Sequence, residues 1–184
     1  AGFGDYVITT GDGDDIISSG SNGEYTIQAG GGNNMISLGL GRNLVTAGAG
    51  NDTYSLLGTD TTINDAGGTN IVQASKDGIT LALMNGNNTI SVGQSSSRIA
   101  QETGGNRITT GSGNDTVYLY YNYIPASGQK NVINLGDGTN VVTNTSDFIA
   151  TDVTTGSGND TITLTLAGAI DAGEGNNTIS IGTG

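Results

Sequence analysis

Along this chain an apolar residue set between polar ones returns about every nine residues, from Ile8, Ile17, Ile27, Ile36 and Val45 through Ile90, Ile99 and Ile108 to Val153, Ile162, Ile170 and Ile179. The flanking residues are mostly Thr, Ser, Asn and Gln, as in Thr53-Tyr54-Ser55, Thr89-Ile90-Ser91 and Thr161-Ile162-Thr163. Alternation of this kind predicts one short half-buried β-strand per unit, and the β-branched residues agree with it. Numbering the unit on Gly111-Ser112-Gly113-Asn114-Asp115-Thr116-Val117 makes Gly111 its second position, Asp115 its sixth and Val117 its eighth. Steps of nine back from Asp115 reach Asn106, Ser97, Asn88, Ile79, Asn70, Thr61, Asp52, Asn43, Asn34 and Tyr25 without a slip. Glycines at the second and fourth positions, such as Gly48 and Gly50 or Gly156 and Gly158, form the turn ahead of each strand.

So short a strand does not hold itself together, but equivalent strands stacked on one another build a continuous buried column. Two units close a coil of about 18 residues with a strand on each side, and coils stack by parallel pairing at about 4.8 Å. The expected fold is therefore all-β: a right-handed parallel β-roll or β-solenoid with two parallel sheets and nine to ten coils. It spans residues 1–184 as a single domain. The register slips by one residue at SNGEY and by two at TNTSDFIA, and loses one after Asp160. The largest insertion, residues 118–130, carries the only proline and four of the seven tyrosines, Tyr118, Tyr120, Tyr121 and Tyr123. It is expected to bulge from the roll, either as a tyrosine-rich docking loop or folded over the roll's own side.

Four units stand out: GDGDDII (11–17), GAGNDTY (48–54), GSGNDTV (111–117) and GSGNDTI (156–162). They resemble the GGxGxDxUx nonapeptide of the RTX family, secreted calcium-binding parallel β-rolls. The resemblance implies Ca²⁺ as the cofactor, held by the sixth-position aspartates Asp15, Asp52, Asp115 and Asp160 with turn carbonyls. Most units depart from the pattern. Sorted by side of the roll, one column of sixth positions reads Asp15, Asn34, Asp52, Asn70, Asn88, Asn106, Asn131. The other reads Tyr6, Tyr25, Asn43, Thr61, Ile79, Ser97, Asp115, Asn140, Asp160, Asn177. The sixth position shares the inward parity of the eighth, so these amides must satisfy one another and the turn backbone. Asn34, Asn70, Asn88, Asn106, Asn131, Asn140 and Asn177 are accordingly expected to form an asparagine ladder. Each aspartate has two readings, cation ligand or ladder member. From about 58 to 110 no sixth position is an aspartate, and no cation is expected there.

Composition narrows the function. With 17 acidic against 5 basic residues the chain lacks the basic face that nucleic acid or an anionic membrane surface requires. It has neither cysteine nor histidine, which removes disulfides, thiol chemistry and the usual general base. No apolar run suits a membrane span. Asp65, Asp152 and Asp171 are single acids on a sheet face that do not align on consecutive coils, so no enzyme is expected. The function expected is a secreted or cell-surface structural module (surface layer, adhesin or filament subunit), stabilised by the ladder and a few calcium ions. Its partner is another copy stacked end to end, or a continuation of the same repeat in a longer chain. An alternative is ice binding through the outward row Thr26, Thr62, Thr80, Thr116, Thr161 and Thr178, which Leu44, Arg98 and Val141 interrupt.

Overall fold

A computed structural model describes residues 4–20, 22–58, 60–75, 79–83, 86–93, 97–101, 104–119 and 128–182. In chain order the strands are β1 (Asp5–Thr10), β2 (Ile16–Ser19), β3 (Glu24–Ala29), β4 (Met35–Leu38), β5 (Asn43–Ala49), β6 (Thr53–Leu56), β7 (Thr62–Gly67), β8 (Ile71–Ala74), β9 (Thr80–Leu83) and β10 (Thr89–Val92). They continue as β11 (Arg98–Gln101), β12 (Arg107–Thr109), β13 (Thr116–Leu119), β14 (Lys130–Asn134), β15 (Val141–Asn144), β16 (Ala150–Thr154), β17 (Thr161–Leu164), β18 (Ala167–Asp171) and β19 (Thr178–Ile181). Odd-numbered strands form one ten-stranded sheet and even-numbered strands a nine-stranded one. Every neighbouring pair is parallel, as in β3–β5, β4–β6 and β10–β12. This is a β-solenoid of about nine coils, and no helix occurs among the described residues.

Register follows the repeat. Ile27 pairs with Val45, Ile36 with Tyr54, Ile90 with Ile108 and Val117 with Val142, so each eighth-position side chain stacks on its counterpart one coil away. These residues are fully buried between the sheets. The strands are mostly four residues or longer, exceeding the three that alternation around one apolar residue suggests. The reason is that the first position of the following unit also points inward: Leu38, Leu56, Leu83, Leu119, Leu135 and Leu164 are buried there. Most coils therefore bury two residues per side, each worth about 1.5–3 kcal/mol when large.

Insertions are absorbed mostly between strands, the exception being a register shift within the β16–β18 pair between Thr151 and Val153. Successive inner-column residues are 18 apart at Asn34 and Asp52, 25 at Asn106 and Asn131, 20 at Asn140 and Asp160, and 17 at Asp160 and Asn177. Of the docking-loop tyrosines, Tyr118 lies half-buried in β13 with the Arg98 guanidinium 5.3 Å from its ring centre. Tyr120, Tyr121 and Tyr123 fall outside the described residues. No described helix is long and apolar enough to cross a membrane.

The turns demand glycine where coils touch. Gly138 sits at φ +126°, and a Cβ there would lie 1.9 Å from the Gly113 carbonyl oxygen of the preceding coil. Neither the dihedral nor the space admits an L side chain.

Candidate metal sites in the turns

From Tyr25 to Asp160 the sixth-position side chains are buried at the mouths of the turns, and the oxygens of most of the asparagines and aspartates in both columns bond from coil to coil. The Asp15 N–H donates to Asn34 Oδ1 (3.1 Å), Asn34 N–H to Asp52 Oδ1 (2.7 Å), and Asp52 N–H to Asn70 Oδ1 (2.7 Å). The series continues with Asn70 N–H to Asn88 (2.8 Å), Asn88 to Asn106 (3.0 Å) and Asn106 to Asn131 (3.0 Å). On the other side Ser97 N–H donates to Asp115 Oδ1 (2.8 Å), Asp115 to Asn140 (3.0 Å), Asn140 to Asp160 (2.8 Å) and Asp160 to Asn177 (2.9 Å). Asparagine and aspartate are equivalent in this role, because only an accepting oxygen is needed.

A second set of bonds runs outside the first and was not read from the repeat. Fifth-position oxygens accept from the next coil: Asp14 from Asn33 N–H (2.7 Å), Asn33 from Asn51 (2.9 Å), Asn51 from Thr69 (2.8 Å) and Asn114 from Thr139 (2.8 Å). These bonds point in the opposite direction to the inner ones, because successive N–H groups of an extended chain face opposite ways. The signal was present as the dipeptides Asn33-Asn34, Asn51-Asp52 and Asn114-Asp115.

What separates asparagine from aspartate is the second atom of the side-chain head. Asn34, Asn43, Asn106 and Asn140 turn Nδ2 to the carbonyl of the glycine two residues back, at 3.1–3.3 Å. An aspartate has no donor to offer that carbonyl. Its Oδ2 is buried and unpartnered in all four cases, Asp15, Asp52, Asp115 and Asp160. Burial pushes the carboxyls of Asp52 and Asp115 up, against the N–H groups that favour their ionised forms. An unpartnered buried carboxylate oxygen beside neutral turn oxygens is the donor set a hard cation takes, so these residues fit calcium. Among the described residues no three acidic side chains converge, so a cation at these turns takes most of its ligands from neutral oxygens. The aspartates are kept apart by the fold. Asn34 lies between Asp15 and Asp52, and Asn140 between Asp115 and Asp160.

Asp65 is placed differently from the reading of it as a sheet-face acid. It occupies the first position of its unit, faces inward and is 2% exposed. Tyr54 stands where other units have Ile or Val, and its hydroxyl reaches across the core to donate to Asp65 Oδ2 (2.5 Å). The Gly67 N–H donates to Oδ1 (2.9 Å). Burial pushes the Asp65 carboxyl up to about 6, the Tyr54 and Gly67 donors oppose this, and the nearby Asp52 charge adds to it. Burial, then the Asp65 charge, also holds the Tyr54 hydroxyl well above the usual tyrosine range. Asp152 does lie on the outer face, where the Lys130 ammonium and the Ala169 N–H (2.6 Å) hold its carboxyl below the ordinary range.

The model of the RTX calcium-binding nonapeptide repeat matches this chain in four copies, at residues 26–54 and 102–120. These segments contain Asp52 and Asp115, and together with the two parallel sheets they fit an RTX-type β-roll. No curated protein and no solved structure matches the chain.

Proposed function

We propose that this RTX-type β-roll is a non-enzymatic structural module of a secreted or cell-surface protein, such as a surface layer, adhesin or filament. An asparagine ladder works throughout its length, and calcium ions at Asp15, Asp52, Asp115 and Asp160 reinforce it. The supporting observation is a contrast at the sixth positions: Asn34, Asn43, Asn106 and Asn140 each donate to the glycine carbonyl of their own turn, whereas each of the four aspartates leaves a buried oxygen unpartnered. Calcium supplies the missing positive charge and cross-links neighbouring turns. By linkage, each site adds about 2.7 kcal/mol once calcium exceeds its dissociation constant a hundredfold. A cell's exterior meets that condition for weak sites and its interior does not, which gives the module a stability that depends on where it is.

Ice binding is not adopted. The Arg98 side chain stands in the outward threonine row and packs on Tyr118, so the face is neither flat nor uniform. Thermal melting in millimolar calcium and in excess chelator tests the proposal. A melting temperature several degrees higher with calcium is expected, and identical melts under the two conditions overturn it.

A further inference from the structure

Nine buried side-chain nitrogens and oxygens lack a hydrogen-bond partner among the described residues, and six of them fall into three pairs. The pairs are Thr10 Oγ1 with Asp15 Oδ2, Thr110 Oγ1 with Asp115 Oδ2, and Thr155 Oγ1 with Asp160 Oδ2. In each the threonine precedes its aspartate by five residues, in TGDGDD, TGSGND and TGSGND. The first position of the unit shares the inward parity of the sixth, so the end of one strand and the start of the next present both side chains to the same turn. Thr110 and Thr155 are 6% and 4% exposed, and Asp115 and Asp160 are each 1% exposed.

The pairing is selective. The residue five before an asparagine or other sixth-position residue is never a threonine: Ala29 precedes Asn34, Leu38 Asn43, Leu83 Asn88, Leu135 Asn140 and Ala172 Asn177. Asp52 is the exception among the aspartates. Ala47 occupies its first position, so its unit supplies no first-position hydroxyl beside the unpartnered Asp52 Oδ2.

We infer that the first-position threonine is a cation ligand, and that Thr10–Asp15, Thr110–Asp115 and Thr155–Asp160 are three hydroxyl–carboxylate calcium sites to which the Asp52 turn is not equivalent. This rests on the calcium reading above and sorts its four turns. A buried hydroxyl with no partner costs free energy, and so does a buried carboxylate oxygen. A hard divalent cation takes six to eight oxygens and accepts both at once. The competing arrangement is a hydroxyl hydrogen bond to the carboxylate. Thr110 lies near enough to Asp115 to favour its ionised form, yet the two make no bond of ordinary hydrogen-bond geometry.

Calorimetric titration of the whole chain with calcium chloride, alongside melting in calcium and in chelator, decides between them. Thr→Val is isosteric and leaves the ladder bonds intact. The double variant Thr110→Val/Thr155→Val should lose the heat of two calcium equivalents, or show them weakened at least about tenfold (about 1.4 kcal/mol each). Its melt in chelator should be unchanged or higher. Asp52→Asn should leave the titration of the tight sites as it is. Unaltered calcium binding by the double variant overturns the inference while leaving the calcium reading standing. An equal loss of stability in calcium and in chelator also overturns it, since the hydroxyl is then only a donor to the carboxylate. A wild-type chain that takes up no calcium removes both readings together.

Discussion

Tyr54 and Asp65 show how one pair of residues departs from a repeat together. A tyrosine replaces the usual aliphatic residue of the eighth position, a carboxylate replaces the usual apolar residue of the first, and the hydroxyl of one satisfies the other. The folded-state value of Asp65, about 6, lies above the ordinary 3.8, so the fold favours its protonated form. Its contribution is complete below the ordinary value and is lost as pH rises through about 6, a loss of roughly 3 kcal/mol. Asp52 and Asp115 shift in the same direction. Urea denaturation with calcium chelated should therefore give falling stability from pH 4 to pH 7, and Asp65→Asn should flatten much of that slope. Tyr54→Phe strips Asp65 of a donor and should cost about 1–3 kcal/mol. Neither residue's role was legible in the sequence, because the pair is 11 positions apart and meets only when one coil closes.

Among the repeated elements, the turn depends on two features, glycine where coils touch and an accepting oxygen at the sixth position. Both were legible, since Gly-x-Gly-Asx-Asx recurs at fixed spacing. Gly138→Ala should cost about 3 kcal/mol or more by circular dichroism melting, as the new methyl meets the Gly113 carbonyl in a left-handed backbone. A methyl on Gly13 meets nothing within 4 Å, so Gly13→Ala should be close to neutral. Asn106→Ala leaves the buried Asn88 N–H without its acceptor and should cost about 1–3 kcal/mol. Asn106→Asp keeps that acceptor but loses the donor to the Gly104 carbonyl. It should therefore weaken the fold less than alanine does, and acquire a dependence on calcium. The outer fifth-position bonds escaped the sequence reading for a plain reason. Asparagine is common in any turn, and only the paired coils reveal that its oxygen accepts from a neighbour rather than from its own turn.

On the scale of the whole molecule the net charge of −12 acts on every coil at once. Acidic side chains line the turns at Asp12, Asp14, Asp137 and Glu174, and self-repulsion among them is screened by salt. Melting temperature should rise modestly with sodium chloride, and further with calcium at matched ionic strength. A calcium effect no larger than that of sodium would place it in general screening. A solenoid also distributes its stability along its length, since each coil contacts only its neighbours. Substitutions in distant coils, such as Asn88 and Asp160, should for that reason add almost independently.

The linear pattern by itself determined the coil. A nine-residue period with inward sixth and eighth positions admits little except stacked parallel strands, because no other arrangement buries one side chain per unit in a continuous column. It also determined where acceptors recur in the turns. Only the tertiary structure decided what those acceptors do. Whether a buried oxygen is satisfied depends on which backbone N–H the next coil brings to it, and on what the first-position residue presents to the same turn. Asn34 and Asp52 look alike in the repeat, yet one carries a donor for its glycine carbonyl and the other an oxygen in need of a positive charge.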